Sequence, residues 1–582
     1  MRFLEAPTRF LFFTGKGGVG KTSLACATAL QLAEAGRRVL LVSTDPASNV
    51  GQVFGQTIGN TVTPVASVPA LDALEIDPEQ AAAAYRERII GPVRGLLPER
   101  EIASITEQLS GSCTTEIASF NEFTGLLADP SLVAGYDHVI FDTAPTGHTI
   151  RLLKLPGDWT GFLDAGKGDA SCLGPLSGLE KQRAIYSSAV TALADPSLTS
   201  LVLVARAQPS SLEEIARTAA ELAVTGIRPS HVVINGVLPV SAATDTLASA
   251  IRDREQAAIV GMPAVLAEVP QDLIELKPDN MVGLAALRSL LDSTTHVLPD
   301  TPPTSGMEVA ASLDVLIEEL AADGHGLIMC MGKGGVGKTT IASAIATRLA
   351  AMGHSVHLTT TDPAGRLEST IGDDAASANL TTSRVDPVQA VADYRAHVMD
   401  TKGRSLDEAG RAVLAEDLLS PCTEEVAVFQ QFSRLVNQAR RSFVVMDTAP
   451  TGHTLLLMDA AGSYHREIVR NLPSGTAYTT PMMRLQDPDY TKILLVTLPE
   501  TTPVLEAGVL EDDLFRAGIR PWAWVVNQSV AAAETSSPLL KHRASMEVDP
   551  IGTVRQRARR IAVVPLFEQE PIGRRRLALL AS

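Results

Sequence analysis

The sequence predicts two tandem α/β domains, each built on a doubly wound, mainly parallel sheet with helices on both faces. One observation behind this is an octapeptide, Gly-Lys-Gly-Gly-Val-Gly-Lys-Thr, that occurs at Gly15–Thr22 and again at Gly332–Thr339. The other is that apolar, β-rich runs alternate with helical patterns in both halves, which is typical of parallel strands buried between helices. The 582 residues are enough for two such domains with separate cores.

The predicted strands are the apolar runs of this alternation. In the first half they are Arg9–Thr14, Val39–Ser43, His138–Asp142, Leu201–Ala205, His231–Asn235 and Val265–Val269. In the second half they are Gly326–Met331, Val356–Thr360, Phe443–Asp447, Ile493–Thr497, Ala523–Asn527 and Ile561–Val564. Long helical patterns near residues 75–135 and 384–440 predict a helical insertion in each half.

The two halves share further motifs, which indicates a duplicated domain. The sequence Asp-Thr-Ala-Pro-Thr-Gly-His-Thr occurs at 142–149 and 447–454, and Gly-Ile-Arg-Pro occurs at 226–229 and 518–521. Between the halves, residues 293–305 are rich in Pro, Ser and Thr and lack hydrophobic periodicity. We therefore expect a first domain over 1–292, a linker over 293–312 and a second domain over 313–582.

Composition narrows the class of protein. A net charge of −17 argues against a nucleic-acid partner. The sequence contains no run of eighteen apolar residues, so no transmembrane segment is predicted. The N-terminus shows no secretory signal, and five irregularly spaced cysteines suit a reducing compartment better than a disulfide framework. We expect a cytoplasmic protein.

Each octapeptide has the form of a phosphate-binding loop, because it follows a predicted strand and opens a predicted helix. Its backbone N–H groups can surround phosphates, while the final lysine, Lys21 or Lys338, reaches the β- and γ-phosphates. The hydroxyl that follows, on Thr22 or Thr339, can bind Mg²⁺. The predicted nucleotide ligands are Gly15, Lys16, Gly17, Gly18, Val19, Gly20, Lys21, Thr22, Gly332, Lys333, Gly334, Gly335, Val336, Gly337, Lys338 and Thr339, with Asn235 and Asn527 on the adenine side.

Four aspartates follow predicted strands and are candidates for Mg²⁺ binding. Asp142 and Asp447 each end an apolar strand, where a Walker-B carboxylate holds magnesium, although a carboxylate there can also cap the next loop. Asp45 and Asp362 stand in Asp-Pro-Ala motifs. They could sense the γ-phosphate or orient the attacking water, or they could be plain turn residues.

The five cysteines fall into two groups. Cys26 and Cys330 lie in apolar segments and are expected in the core. Cys113 and Cys422 occupy matching positions, and Ser420-Pro421-Cys422 predicts the start of a helix, where thiolate is favoured. Cys172 has no counterpart in the second half. From the residues alone, these last three are either incidental or ligands of a soft ion.

Together, the two loops, both Asp-Thr-Ala-Pro-Thr-Gly-His-Thr motifs and the matched cysteine helices resemble the catalytic ATPase subunits of bacterial arsenite/antimonite efflux pumps. That family belongs to the deviant Walker-A P-loop ATPases. The resemblance implies that the two P-loop NTPase domains form a pseudo-dimer in which Lys16 and Lys333 each contact the nucleotide of the facing half. It also implies a trivalent metalloid site, whose ligands would be Cys113, Cys172, Cys422, His148, His453 and Ser420. The histidines could instead order their loops, and Ser420 could simply cap its helix.

The same resemblance implies ATP hydrolysis with Mg²⁺, stimulated by As(III) or Sb(III), that drives metalloid efflux. The expected partners are an integral-membrane arsenite carrier and a metalloid chaperone, with the protein peripheral at the inner face of the cell membrane. Ser48-Asn49 in the first half is replaced by Gly365-Arg366 in the second, so the two nucleotide sites are not expected to be equivalent.

Three other functions fit the sequence less well. An ATPase that targets tail-anchored membrane proteins shares the aspartate motif, but that family resembles a single half and carries a Cys-x-x-Cys clasp that is missing here. The acidic charge opposes a role on DNA. An iron–sulfur reductase would need matched cysteine pairs, whereas only Cys113 and Cys422 match.

Overall fold

The computed structural model describes residues 1–45, 50–94, 112–143, 179–292, 311–362, 367–372, 379–418, 422–448 and 479–581, with a few isolated positions between 95 and 111. The chain divides into two compact units, Met1–Pro299 and Asp300–Ser582. Most of the linker predicted over 293–312 lies outside the described residues, so the predicted domain bounds stay a prediction.

The first unit contains an eight-stranded sheet. Its strands are β1 (Phe10–Gly15), β2 (Val39–Ser43), β3 (Thr63–Pro64), β4 (Leu71–Glu75), β5 (His138–Asp142), β6 (Thr199–Ala205), β7 (His231–Val237) and β8 (Gln271–Glu275). They are ordered β3-β4-β2-β5-β1-β6-β7-β8, and only the β3–β4 pair is antiparallel. The described helices are α1 (Lys21–Glu34), α2 (Val50–Phe54), α3 (Pro78–Ile90), α4 (Ser112–Ala128), α5 (Pro130–Val133), α6 (Leu179–Ala194), α7 (Pro209–Ala223), α8 (Thr246–Val260), α9 (Ala264–Ala267) and α10 (Leu284–Leu290).

The second unit contains a seven-stranded sheet in which every neighbouring pair is parallel. Its strands are β9 (Gly326–Met331), β10 (Val356–Thr360), β11 (Leu380–Arg384), β12 (Phe443–Asp447), β13 (Thr491–Thr497), β14 (Ala523–Ser529) and β15 (Ile561–Pro565), ordered β11-β10-β12-β9-β13-β14-β15. The described helices are α11 (Leu313–Ala321), α12 (Lys338–Ala351), α13 (Leu367–Ile371), α14 (Pro387–Thr401), α15 (Glu408–Asp417), α16 (Cys422–Gln438), α17 (Pro481–Gln486), α18 (Thr501–Arg516), α19 (Pro538–Met546), α20 (Val548–Arg557) and α21 (Arg574–Leu580).

The central strands of each sheet are buried on both faces, because helices cover the two faces to which successive side chains point. On β1, Leu11 and Phe13 pack with α1 on one face, whereas Phe10 and Phe12 pack with α3 and α4 on the other. Strand β9 repeats the arrangement, with Cys330 toward α12 and the methionines beside it toward α16 and α18. The predicted doubly wound α/β fold is confirmed in both units.

One predicted strand is wrong and others were missed. The apolar run Val265–Val269 contains the short helix α9, which starts after Pro263 and buries Leu266 while Val265 stays 47% exposed. The strand lies next along the chain, as β8, and only alternate residues of β8 are buried. Strands β3, β4 and β11 were missed for a related reason: in β11, only Leu380 is buried.

Candidate nucleotide-binding sites

Both candidate loops lie at the carboxyl end of a central strand. Strand β1 leads directly into the first loop, and helix α1 starts at Lys21. Gly20, just before the helix, has φ +91°, and Gly337 before α12 has φ +90°, so both loops turn through the left-handed region that glycine tolerates. Because a glycine precedes each helix, no side chain at that position covers the first-turn N–H groups, which favour an anion.

An asparagine from the strand two places along the sheet supports each loop. Asn235 Nδ2 donates a hydrogen bond to the Val19 carbonyl at 2.8 Å, and Asn527 Nδ2 donates to the Val336 carbonyl at 2.9 Å. A Cβ on Gly20 would lie only 2.3 Å from Asn235 Nδ2. This support of the loop was missed by the sequence reasoning, although asparagine at both matched strand ends was its signal. The predicted adenine contact of these asparagines stays a prediction.

The final lysine of each loop lies across that loop. Lys21 Nζ donates to the Lys16 carbonyl at 3.2 Å, and Lys338 Nζ donates to the Lys333 carbonyl at 2.9 Å. Both lysines are buried, at 6% and 7% exposure. A mostly buried ammonium held at the loop is suited to bind a phosphate oxygen.

The strand-end aspartates meet the loop hydroxyls. Thr22 Oγ1 donates to Asp142 Oδ2 at 2.8 Å, and Thr339 Oγ1 donates to Asp447 Oδ2 at the same distance. The parallel register explains this, because Asp142 pairs with Phe13 on β1 and therefore reaches the point where the loop begins. A carboxylate beside a hydroxyl is an oxygen donor pair that suits Mg²⁺.

Asp447 gives the clearest test of whether a cation fits. Its Oδ1 is buried and has no hydrogen-bond partner in the part of the chain that the structure describes. Burial raises the pKa of Asp447 to about 6, and the nearby Lys338 ammonium opposes the rise. A divalent cation bound to Oδ1 would satisfy this atom and favour its charged form.

The Asp-Pro-Ala aspartates lie beside these carboxylates. The N–H of Asp45 donates to Ser43 Oγ at 3.4 Å, and the N–H of Asp362 donates to Thr360 Oγ1 at 3.1 Å. Thr360 Oγ1 in turn donates to Asp447 Oδ2 at 3.0 Å. The two carboxylates of each half are thus brought to one sheet edge. Residues 46–49 and 363–366, which include the positions predicted to differ between the halves, lie outside the described residues.

The structure describes only part of the predicted metalloid site. Cys113 and Cys422 lie in the first turns of α4 and α16, which confirms their predicted helix positions. Their side chains, together with all of Cys172, His148, His453 and Ser420, lie outside the described residues, so the ligand set stays a prediction.

The remaining two cysteines are core residues, as predicted. Cys26 and Cys330 are both fully buried free thiols. Burial raises the pKa of each thiol, and the nearby carboxylates of Asp142 and Asp447 add to the rise. Neither thiol therefore has the thiolate character of a metalloid ligand.

A family model described as anion-transporting ATPase matches residues 8–295, 325–472 and 460–582. The chain belongs to the anion-transporting ATPase family. As a member of the anion-transporting ATPases, it is an ATPase and uses ATP. Within the described ranges, no helix combines the length and apolar character needed to cross a bilayer.

Relatives of this anion-transporting ATPase include proteins of the same length and proteins of half that length. The arsenical pump-driving ATPase of Escherichia coli is 59% identical over 584 residues, 100% of each chain. The protein of that name in Acidiphilium multivorum is 58% identical over 586 residues, again 100% of each chain. The ATPase get3 of Schizosaccharomyces pombe is 30% identical over 329 residues, which cover 52% of this chain and 95% of that protein.

Proposed function

We propose that this ATPase hydrolyses ATP at both loops and uses it to drive the efflux of arsenite or antimonite through a membrane carrier. The observation that carries the proposal is its 59% identity, over the whole of both chains, to a protein named arsenical pump-driving ATPase. The two complete loop sites support it independently, because each brings a phosphate-binding loop, a lysine and a carboxylate to one sheet edge.

In this proposal the loop N–H groups and Lys21 or Lys338 bind the phosphates. Thr22 with Asp142, and Thr339 with Asp447, hold Mg²⁺, which when bound supplies positive charge to the phosphates. Asp45 and Asp362 orient the attacking water and contribute to the cation site. Lys16 and Lys333 contact the nucleotide of the facing half, which requires the halves to form a pseudo-dimer.

Metalloid is proposed to regulate hydrolysis and to be the cargo. The ligands would be the thiolates of Cys113, Cys172 and Cys422, with His148, His453 and Ser420 as auxiliary ligands. Thiolate sulfur suits As(III) and Sb(III) because all are soft. The positions of Cys113 and Cys422 in first helical turns support the proposal, because helix N-termini favour the thiolate.

The proposed partner is an integral-membrane arsenite carrier, with a metalloid chaperone that delivers cargo. The ATPase would act in the cytoplasm and bind the carrier at the inner face of the membrane.

A titration of potassium antimonite against ATP hydrolysis by the purified chain tests this function. We expect saturable stimulation, and we expect everted vesicles that contain the carrier to accumulate arsenite only when this ATPase and ATP are present. If the protein binds ATP normally but its rate of ATP hydrolysis does not change with antimonite, the proposal is contradicted.

A further inference from the structure

The second lysine of the second loop forms an ion pair within its own half. Lys333 Nζ contacts Glu506 Oε1, although the two residues are 173 positions apart in the chain. Glu506 lies on α18, the helix that follows β13. Only 18% of the Lys333 side chain and 7% of the Glu506 side chain are exposed. A pair this shielded from water is screened less than a surface ion pair and restrains the lysine more firmly.

The first half has a glutamate at the equivalent position, but its ion-pair partner is different. Glu214 precedes its Gly-Ile-Arg-Pro motif by the same twelve residues as Glu506 does. Arg217, one turn further along α7, forms an ion pair with this glutamate: Arg217 Nη2 donates a hydrogen bond to Glu214 Oε1 at 2.9 Å. The residue that matches Arg217 in α18 is Val509, which is 56% exposed.

The corresponding lysines therefore have different surroundings. Lys16 forms no ion pair with any residue in the described part of the chain. In the first half, an arginine meets the glutamate and the loop lysine does not. In the second half no cation stands at position 509, and the loop lysine meets the glutamate.

We propose that Glu506 is a positioning residue that holds Lys333 within its own half, and that Arg217 keeps Glu214 from holding Lys16 in the same way. This inference rests on the role proposed above for the two lysines in hydrolysis. Lys333 must exchange a carboxylate for a phosphate before it can assist hydrolysis, whereas Lys16 has no carboxylate to exchange among the residues that the structure describes. The two ATP sites consequently differ in how readily they receive their second lysine.

The exchange is restrained because Glu506 is nearly buried. When Lys333 leaves, the nearly buried Glu506 carboxylate loses its contact with that ammonium, which opposes departure. A triphosphate carries more negative charge than one carboxylate and can overcome this restraint. Release of Lys333 is thus tied to the arrival of nucleotide charge rather than to random motion of the side chain.

Amine labelling tests the restraint without any turnover. The nucleotide-free, full-length protein is treated briefly with an acetylating N-hydroxysuccinimide ester, and peptide mass spectrometry gives the rate at each lysine. We expect Lys333 to react more slowly than Lys16. Glu506→Gln should raise the Lys333 rate by about tenfold, since it removes a charge-assisted hydrogen bond.

Substitutions at the equivalent positions 509 and 217 provide a second, independent test. Val509→Arg places a guanidinium three residues after Glu506, on an exposed site that tolerates it, and should also raise Lys333 labelling. Arg217→Val should lower Lys16 labelling, because Glu214 loses the guanidinium that competes with that lysine. Leu505→Arg is the matched control: position 505 is 42% exposed, but neighbouring helix residues do not face each other, so Lys333 should be unaffected.

The outcomes separate the inference from the proposed function. Equal labelling of Lys16 and Lys333 in the wild type, or no response to both Glu506→Gln and Val509→Arg, would overturn the restraint. If the restraint is confirmed, both variants should raise the basal turnover number with little change in KM for ATP. Faster labelling of Lys333 with unchanged turnover would keep the restraint and contradict the hydrolytic role proposed for that lysine.

Discussion

Asn527 Nδ2 donates a hydrogen bond to the Val336 carbonyl at 2.9 Å, which ties a loop peptide to strand β14. Asn527 is only 3% exposed, and a Cβ on Gly337 would lie 2.1 Å from the same nitrogen. The asparagine therefore supports the loop from behind and fills the space beside its glycine. A phosphate-binding loop held in this way is formed before its ligand arrives, which reduces the cost of binding.

We expect Asn527→Ala to weaken ATP binding at the second site and to lower the stability of the nucleotide-free protein. The Val336 carbonyl would lose its donor in a buried place, which costs about 1–3 kcal/mol. Calorimetric ATP titration and thermal unfolding measure the two effects. Asn527→Asp keeps the volume, and its ionised carboxylate cannot donate and adds negative charge beside the loop, so it should weaken ATP binding at least as much as the alanine variant. An alanine variant that binds ATP as tightly as wild type would contradict this support.

Lys21→Ala and Lys338→Ala should each abolish most antimonite-stimulated hydrolysis. Each lysine is buried over its own loop. In the proposed pseudo-dimer, one empty site should prevent the two halves from closing. Steady-state hydrolysis with and without antimonite provides the measurement. Near wild-type stimulation in either variant would mean that the two sites work independently.

The raised pKa of Asp447 predicts a pH dependence of stability. Its pKa is near 6 in the folded protein and 3.8 in the reference state, so the folded state binds more protons between these values. Without Mg²⁺, this carboxyl should therefore reduce stability as pH rises from about 4 to 6, by on the order of 3 kcal/mol in all. Urea unfolding at pH 4.5 and 7.0 measures the change, and the difference between wild type and Asp447→Asn isolates this group. A difference that does not vary with pH would contradict the assignment.

Replacement of the candidate metalloid ligands should reduce the stimulation of ATP hydrolysis by antimonite without affecting ATP binding. Cys113→Ser, Cys172→Ser and Cys422→Ser should each weaken activation by antimonite, because each removes a soft sulfur ligand, while basal ATP binding stays. Cys26→Ser serves as the control at a buried thiol, assayed at a temperature where the variant is fully folded. If that control loses stimulation to the same degree, the effect is general damage and the ligand assignment fails.

Lys16→Ala should act on the opposite nucleotide. ATP affinity at the Gly15–Thr22 loop should change little, because Lys21 and the loop backbone remain. Turnover at the Gly332–Thr339 loop should slow by on the order of 10³-fold if Lys16 acts like an arginine finger. A photoreactive ATP analogue that labels each site, combined with single-turnover hydrolysis, distinguishes the two loops. A defect confined to the loop that carries the substitution would refute the contact between halves.

Most of the fold was predictable because its central strands are continuous apolar runs. The bounds of β2, β5, β9, β10 and β12 agree with those predicted. Strands near the sheet edges were missed or misplaced, since Leu380 alone of β11 is buried and β8 alternates between buried and exposed residues. Their pairing depends on neighbours distant in the chain, which local patterns do not reveal.

The candidate sites divide in the same way. Both loops and their aspartates could be predicted because their functional residues lie in contiguous sequence motifs. The matched asparagines are visible in the sequence, but their contact partners are not. The contacts of Asn235 with Val19 and of Lys333 with Glu506 join residues 216 and 173 positions apart. Such contacts depend on where strand β7 and helix α18 place Asn235 and Glu506 relative to the loops.

The burial of Cys26 and Cys330 makes this chain its own reference for thiol counting. A gentle alkylating reagent applied to the native protein can mark at most three of its five cysteine thiols, and denaturation exposes the other two. The mass added before and after denaturation therefore reports how many of the other three thiols react in the native protein, without any substitution. If antimonite protects these thiols, the native protein should gain fewer alkyl groups, and the mass difference should equal a whole number of them.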